Sequence, residues 1–324
     1  PSVYGHSQSW VRRPRRPRGE DLNRLLYSRT GLWERSMGEA KRKRAAGDAE
    51  FTRIDAQFKD MGVDTSSLGF YDQQAFLDQE AKNPKLLEAY GRWVALRPRS
   101  DAYEKHAKAV VPKVAQLIGN AFSEDGFQGS CIAGAGMISR ILDRLGVWNY
   151  GIMGSATFEV GSPRIWRGLA TVDHRDFPNA VLGHAWVSAP PYVVVDATVL
   201  LQRWGDDPIV KYLPPVLVSE NPRRTSPSVD DVVSASKREE YFRAEGRADG
   251  QLHFRLEPNL VRFGTLFPAS EIQAVNLKAR YVPTAISMTD VPLEQINVEG
   301  KVGRSGAAIW KDVIAPAFDV KTDQ

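Results

Sequence analysis

Apolar residues recur at helical spacing through the first third of the chain and at strand spacing in its middle. Leu22, Leu25 and Leu26 open a stripe, and Phe51, Ile54 and Phe58 continue one at steps of three and four, the spacing that lines one helix face. Between Gln74 and Leu96, Phe76, Leu77, Leu86, Leu87, Tyr90, Trp93 and Val94 predict two helices parted at Pro84, since proline cannot continue the backbone ladder. Ser100 or Asp101 is placed to cap a helix over 102–122 that carries Val110, Val111, Val114, Leu117 and Ile118. Pro112 inside it predicts a kink or a split, and His106 reads as an exposed helix residue. After a turn at Ser123-Glu124-Asp125-Gly126, Cys131, Ala135, Ile138, Leu142 and Leu145 mark the buried stripe of a further helix, which Gly146 ends.

The period then changes to two. Tyr150 to Val160 reads as a strand and Trp166 to Val172 as a second, followed by a solvated polar loop, Asp173-His174-Arg175-Asp176. Strands over 180–189 and 192–201 flank Pro190-Pro191. Alternation puts Leu182, His184, Trp186 and Ser188 on one face of the first, and Tyr192, Val194, Asp196, Thr198 and Leu200 on one face of the second. The second faces are apolar too (Val181, Ala185 and Val187; Val193, Val195 and Val199), so both strands are expected in the middle of a sheet covered on both sides. A histidine and an aspartate are costly there unless they meet. A turn centred near Pro190 sets His184 directly opposite Asp196. Beyond Gln202 come proline-rich loops, a charged amphipathic helix over 229–245, and two strand-like runs, Gln251–Leu256 and Val261–Leu266, with His253 on a strand face. From about Asp290 scattered glycine and proline suggest a tail.

Composition narrows the class. The chain has 324 residues, 42% hydrophobic and 25% charged, ordinary for a globular protein with a sizeable core. It has no apolar run of about 18 residues, so no membrane span is expected. A single cysteine excludes an internal disulfide and fits a reducing, cytoplasmic setting. Basic residues concentrate in Val11-Arg12-Arg13-Pro14-Arg15-Arg16-Pro17-Arg18, so residues 1–19 read as a disordered arm, a solvated tail or a tether for an acidic partner. Met37 stands where an alternative start would. No zinc spacing, phosphate loop or dinucleotide loop is present, and no cofactor or metal is expected.

Chemistry enters with Cys131, His184 and Asp196, in that chain order. A cysteine nucleophile needs a thiol that attacks as thiolate, an imidazole that takes its proton and a carboxylate that orients the imidazole. Gly129-Ser130-Cys131 at a helix start, His184-Ala185-Trp186 on a strand, and Asp196-Ala197-Thr198 on the next, twelve residues beyond the histidine, resemble the transglutaminase-like branch of the papain-like cysteine protease superfamily. The resemblance covers roughly residues 120–202. It implies Cys131 as nucleophile, His184 as base, Asp196 as orienting acid and Trp186 as a packing residue beside them. It also implies a thiol at a helix N-terminus, where the dipole favours thiolate. The Cys131 backbone N–H and, by analogy with papain-like enzymes, the Gln128 side chain are the oxyanion donors considered. The cysteine lacks the Gln and Trp that flank it in many animal transglutaminases, which favours hydrolysis over cross-linking.

The expected fold is therefore α+β, a papain-like/transglutaminase-like core in which a helix carrying the cysteine packs on an antiparallel sheet, with a helical N-terminal extension. The expected divisions are a basic arm (1–19), a helical N-terminal region (20–100), the transglutaminase-like cysteine hydrolase domain (101–290) and a C-terminal tail (291–324). The expected function is a thiol-dependent hydrolase or acyl transferase acting on amide bonds of a protein or peptide substrate, a protease or amidase. A transglutaminase and a catalytically silent protein-binding domain stand as alternatives.

Overall fold

The computed structural model describes residues 41–42, 44–129, 131–161, 164–173, 182–297 and 303–321. Contacts divide the chain into two units, Pro1–Glu50 and Phe51–Gln324. In the first, residues 41–42 and 44–50 are helical. The basic arm, the stripe from Leu22 and Met37 lie outside the described residues.

The second unit begins with helix α1 (51–60), a short 3-10 turn at Phe70–Asp72, α2 (Gln74–Glu80) and α3 (Leu86–Leu96). Their apolar stripes converge on an aromatic cluster. Phe70 meets Phe58, Tyr90 and Trp93 at ring separations of 5.0–5.2 Å, and Trp93 meets Trp148 edge-on at 5.0 Å. These side chains share one core with the sheet residues Tyr150, Ile152 and Phe158. The boundary expected at residue 100 is therefore absent. The residues before it pack into a core they share with the sheet.

Helix α4 (Asp101–Glu124) runs unbroken through Pro112, against the expected split. Proline removes the partner of the carbonyl four residues earlier, and that residue, Lys108, is exposed, so water can take the place of the lost N–H. The Ser100 hydroxyl caps the helix by accepting from the Tyr103 N–H. Helix α5 (Cys131–Arg144) follows. It ends where expected, at Gly146 with φ of 80°, in a double-bonded cap: Val147 N–H to the Leu142 carbonyl and Gly146 N–H to the Asp143 carbonyl. The exposed His106 ring, its Nε2 2.7 Å from the Leu145 carbonyl, ties α4 to this end.

The sheet comprises β1 (Tyr150–Val160), β2 (Ile165–Leu169), β3 (His184–Ala189), β4 (Tyr192–Asp196), β5 (Leu217–Ser219), β6 (Arg223–Arg224), β7 (Ser270–Gln273) and β8 (Leu277–Ile286). All pairings are antiparallel, in the order β5-β4-β3-β1-β8-β7-β6, with β2 on the second half of β1. Both faces of β3 and of the second half of β4 are covered, whereas Val193, expected inside, is 38% exposed at the start of β4. Ala185, Val187 and Val195 pack with α4 and α5, while Trp186 and Val194 face the aromatic core. The fold is thus α+β, helices on a largely antiparallel sheet.

Three expectations in the C-terminal half fail. The helix over 229–245 divides into α6 (Val229–Val232) and α7 (Ala235–Glu245), because Val233 is extended and the Ser234 hydroxyl starts a new cap on Lys237 N–H. The strand-like runs are helices, α8 (Leu252–Leu256) and α9 (Asn259–Leu266). The residues that bury are Leu260, Phe263 and Phe267, at helical steps, whereas Val261 is 66% exposed. His253 is accordingly a buried helix residue. The expected tail is core: in helix α10 (Gly306–Ile309) and the turns that continue it, Ile309, Trp310, Ile314 and Ala315 pack against residues of α4 and α5.

Candidate functional site

Three element ends come together. Cys131 is the first residue of α5, His184 the first of β3 and Asp196 the last of β4. Gly183 precedes the histidine with φ of 90°, and a Cβ there would lie 2.5 Å from the Gly154 carbonyl oxygen. Only glycine lets β3 enter beside β1 at that point. Pro190 and Pro191, joined by a cis peptide, are the two turn residues between Ala189 and its partner Tyr192. The register differs from the expected one: Val187 faces Val195, which places Asp196 beyond Trp186 rather than directly opposite His184. The slip is of two residues, so both side chains keep the face they share. They meet as diagonal neighbours, within reach of long side chains.

His184 Nε2 donates to Asp196 Oδ2 at 2.6 Å, with the two side chains 0% and 1% exposed. Asp196 Oδ2 also accepts from the Tyr281 hydroxyl at 3.0 Å. Its Oδ1 accepts from the Thr198 N–H at 2.8 Å and the Thr198 hydroxyl at 2.9 Å. Two donors on each oxygen satisfy a buried carboxylate and fix its plane. They also assign the proton on Nε2, because the acid can only accept.

The other ring nitrogen, Nδ1, is buried without a well-aligned hydrogen bond, and the group coupled to it is the Cys131 thiol. Burial by itself pushes that thiol's pKa up. The His184 imidazole and the Ala185 N–H more than reverse this, so that it lies below the ordinary cysteine value. Burial likewise disfavours a charged His184, but the Asp196 carboxylate overrides it and raises the imidazole to about 10. Asp196 is held below the usual carboxylate range, against its burial, chiefly by His184 and Thr198. The three shifts favour one state: thiolate, imidazolium and carboxylate in a row.

Trp186, 2% exposed, stacks beside His184 at 6.3 Å and meets Tyr281 edge-on at 5.1 Å. It packs against the ring from the aromatic-core side. Gln128 is not brought into the cluster: it is exposed in the loop before α5 and hydrogen-bonds to nothing among the described residues. The N–H groups of the first turn of α5 have no intrahelical partner, and they lie at the thiol. His174 and Asp176 lie outside the described residues, while Asp173 accepts from Ser234 and Ser236 at the start of α7. Sequence reading missed Tyr281. Its signal was there, in Leu277, Ala279 and Tyr281 alternating with Lys278 and Arg280.

A cleft of about 320 Å³ opens between α5, the start of β1 and the segment after β8; Ile132, Ala135 and Ala185 line it, but Cys131 itself does not. Its outer wall is held by Arg140, which donates to the Val291 carbonyl at 3.1 Å and to that of Thr289 at 2.6 Å while pairing with Asp72.

No protein-family model, curated protein or solved structure matches the chain. Among the described residues, no group of three or more His, Cys, Asp and Glu is placed to hold a metal ion, and no helix is long and apolar enough to cross a membrane.

Proposed function

We propose that this protein is a cysteine-dependent hydrolase or acyl transferase acting on amide bonds, a protease or amidase with a papain-like, transglutaminase-like core. One observation carries the reading: a buried imidazole with one nitrogen on a fully hydrogen-bonded carboxylate and the other turned to the only cysteine in the chain. A helix that starts at the nucleophile and packs on an antiparallel sheet supports it. In this reading the Cys131 thiolate attacks the amide carbonyl, and the helix N–H groups receive the developing oxyanion. The C–N bond breaks as His184 passes its proton to the leaving amine, which leaves a thioester on Cys131. Water, or an incoming amine, then takes the acyl group with His184 as base.

The test is the rate of Cys131 alkylation by iodoacetamide against pH, in the wild type and in His184→Ala. Rapid labelling well below pH 8 that the substitution abolishes is the expected result. Slow labelling that follows an ordinary thiol in both proteins would refute the ion pair and leave a silent binding domain as the better reading.

A further inference from the structure

We propose that the pocket between the end of α3, the start of α4 and the β3–β4 turn is an anion site for a phosphoryl group, free or as a monoester, with Arg97 as its principal ligand. The inference does not rest on the reading of Cys131. Pro190, on the pocket wall, is six residues from His184, roughly 20 Å along an extended strand. The pocket has a volume of about 180 Å³, and Arg97, Arg99, Ser100, Tyr103 and Trp148 also line it. Pockets for drug-sized molecules run to roughly 300–1,000 Å³, so this one suits a small group. Arg97 lies over two indoles, its guanidinium carbon 4.5 Å from the Trp148 ring centre and 5.2 Å from that of Trp93. Stacking engages the guanidinium face and leaves its N–H edge, the part that matches a phosphate in a two-pronged hydrogen bond.

That edge is unclaimed. The two Nη groups make no hydrogen bond or ion pair among the described residues, and they are not sealed from solvent as Nε is. Burial works against the charge of Arg97, and the opposing effects of Tyr103 and Asp55 do not restore it. The Asp55 carboxylate is held instead by Trp93 Nε1 at 2.9 Å and Lys59 Nζ at 2.7 Å. A cation removed from water without a counter-charge is costly, and an anion in the pocket relieves it. The neighbours are donors too. The Ser100 hydroxyl accepts from the Tyr103 N–H, and the Tyr103 hydroxyl accepts from the Trp148 N–H at 3.1 Å, so each keeps a proton to give. Arg99 adds a second guanidinium, paired through Nε with Glu104 at 3.2 Å. Among the described residues no carboxylate lines the pocket.

The test is isothermal titration calorimetry of the full chain with inorganic phosphate at fixed ionic strength, in the wild type, Arg97→Met and Arg97→Lys. The wild type should show one saturable site. Arg97→Met keeps an apolar stem against the indoles and should raise Kd by about tenfold or more, the loss expected of a hydrogen bond to a charged group. Arg97→Lys keeps the charge without the fork and should fall between. Methyl phosphate, titrated alongside, separates the two sources: it binds as tightly as phosphate if the pocket takes an ester and far more weakly if it takes only the free ion. A second measurement needs no variant. Phenylglyoxal modification of the wild type, mapped by mass spectrometry, should be slowed at Arg97 by phosphate and unchanged at the exposed Arg247. No saturable binding, or equal binding in Arg97→Met, which would place the phosphate elsewhere, would overturn the site. So would an Arg97 that the reagent never reaches, or modifies equally fast with phosphate present.

Discussion

Replacing Asp196 by Asn probes the site at its most constrained point. The amide keeps the shape of the carboxylate and one acceptor oxygen, which can stay on the Thr198 N–H and hydroxyl. The NH₂ group must then face His184 Nε2 and the Tyr281 hydroxyl, both donors to Asp196 in the native protein. The imidazole can escape that clash by moving its proton to Nδ1, the nitrogen facing the thiol, which ends its service as a base. The charge argument runs the same way. Asp196 is what lifts His184 to about 10 against its burial, so without it the buried ring is neutral at pH 6. The thiol then returns toward an ordinary value near 8.5, where about 0.3% is ionised at pH 6. The native thiol is held below its ordinary value by His184 and the Ala185 N–H, and a site kept fully as thiolate would outreact that fraction a few hundredfold on population alone, the upper limit of the effect. Part of that is lost because a less basic thiolate is a weaker nucleophile, with a Brønsted slope of about 0.4–0.5. The net expectation is a fall of about 10- to 100-fold in iodoacetamide alkylation at pH 6, converging to within a few-fold above pH 9. Mass spectrometry of the intact chain reads this directly, since there is one cysteine. Superimposable pH profiles for a folded Asp196→Asn protein would show that the carboxylate does not sustain the pair.

Other perturbations test the surroundings. Tyr281→Phe removes one of the four donors to a buried carboxylate and should cost about 1–3 kcal/mol in urea unfolding, with slower labelling at pH 6; an unchanged midpoint would deny that bond a role. Gly134→Ala drives a methyl to 2.5 Å from Thr198 Cγ2 and should cost about 1–3 kcal/mol by overpacking, while disturbing the residue that holds Asp196 Oδ1; normal stability and labelling together would contradict the packing. Burial raises Asp143 to about 7, against the Tyr71 hydroxyl and the Arg140 guanidinium. The folded state therefore keeps a proton that the unfolded chain releases near pH 4, so this group's contribution is full below pH 4 and is lost as pH rises through 7. Unfolding free energy between pH 5 and 8 should fall less steeply in Asp143→Asn, and identical slopes would count against the shift. Trp310→Ala should destabilise by about 3–5 kcal/mol if the C-terminal helices are core, whereas a dispensable tail would show no change.

Where one physical cue decided an element, the sequence was readable. The period-two run over Tyr150–Val160 and the glycine stop at Gly146 both sit where expected. The thiol, imidazole and carboxylate were legible because a polar residue on a two-sided apolar strand demands a partner. Register was not, since it turns on how Pro190 and Pro191 close the hairpin, which alternation does not encode. Residues 251–266 misled because five- and eight-residue helices offer too few turns to separate a period of 3.6 from one of 2. The C-terminal segment misled for another reason. Trp310 and Ile314 are buried by α4 and α5, some 200 residues away in sequence, and composition carries no trace of such a contact. Tyr281 reaches Asp196 by the same kind of long-range pairing, through β8 against β1.

The sheet order has a consequence for how a substrate can arrive. β3, whose Ala185 N–H meets the thiol, has β1 on one side and β4 on the other, and among the described residues the sheet edges are β5, β6 and β2, the last paired only to the second half of β1. Among the described residues an extended peptide therefore finds no open backbone ladder along β3, which is paired on both sides. On the proposed reading, recognition would then come from side chains at the site and its rim, so selectivity should follow what one or two residues of a substrate look like rather than how readily its chain extends.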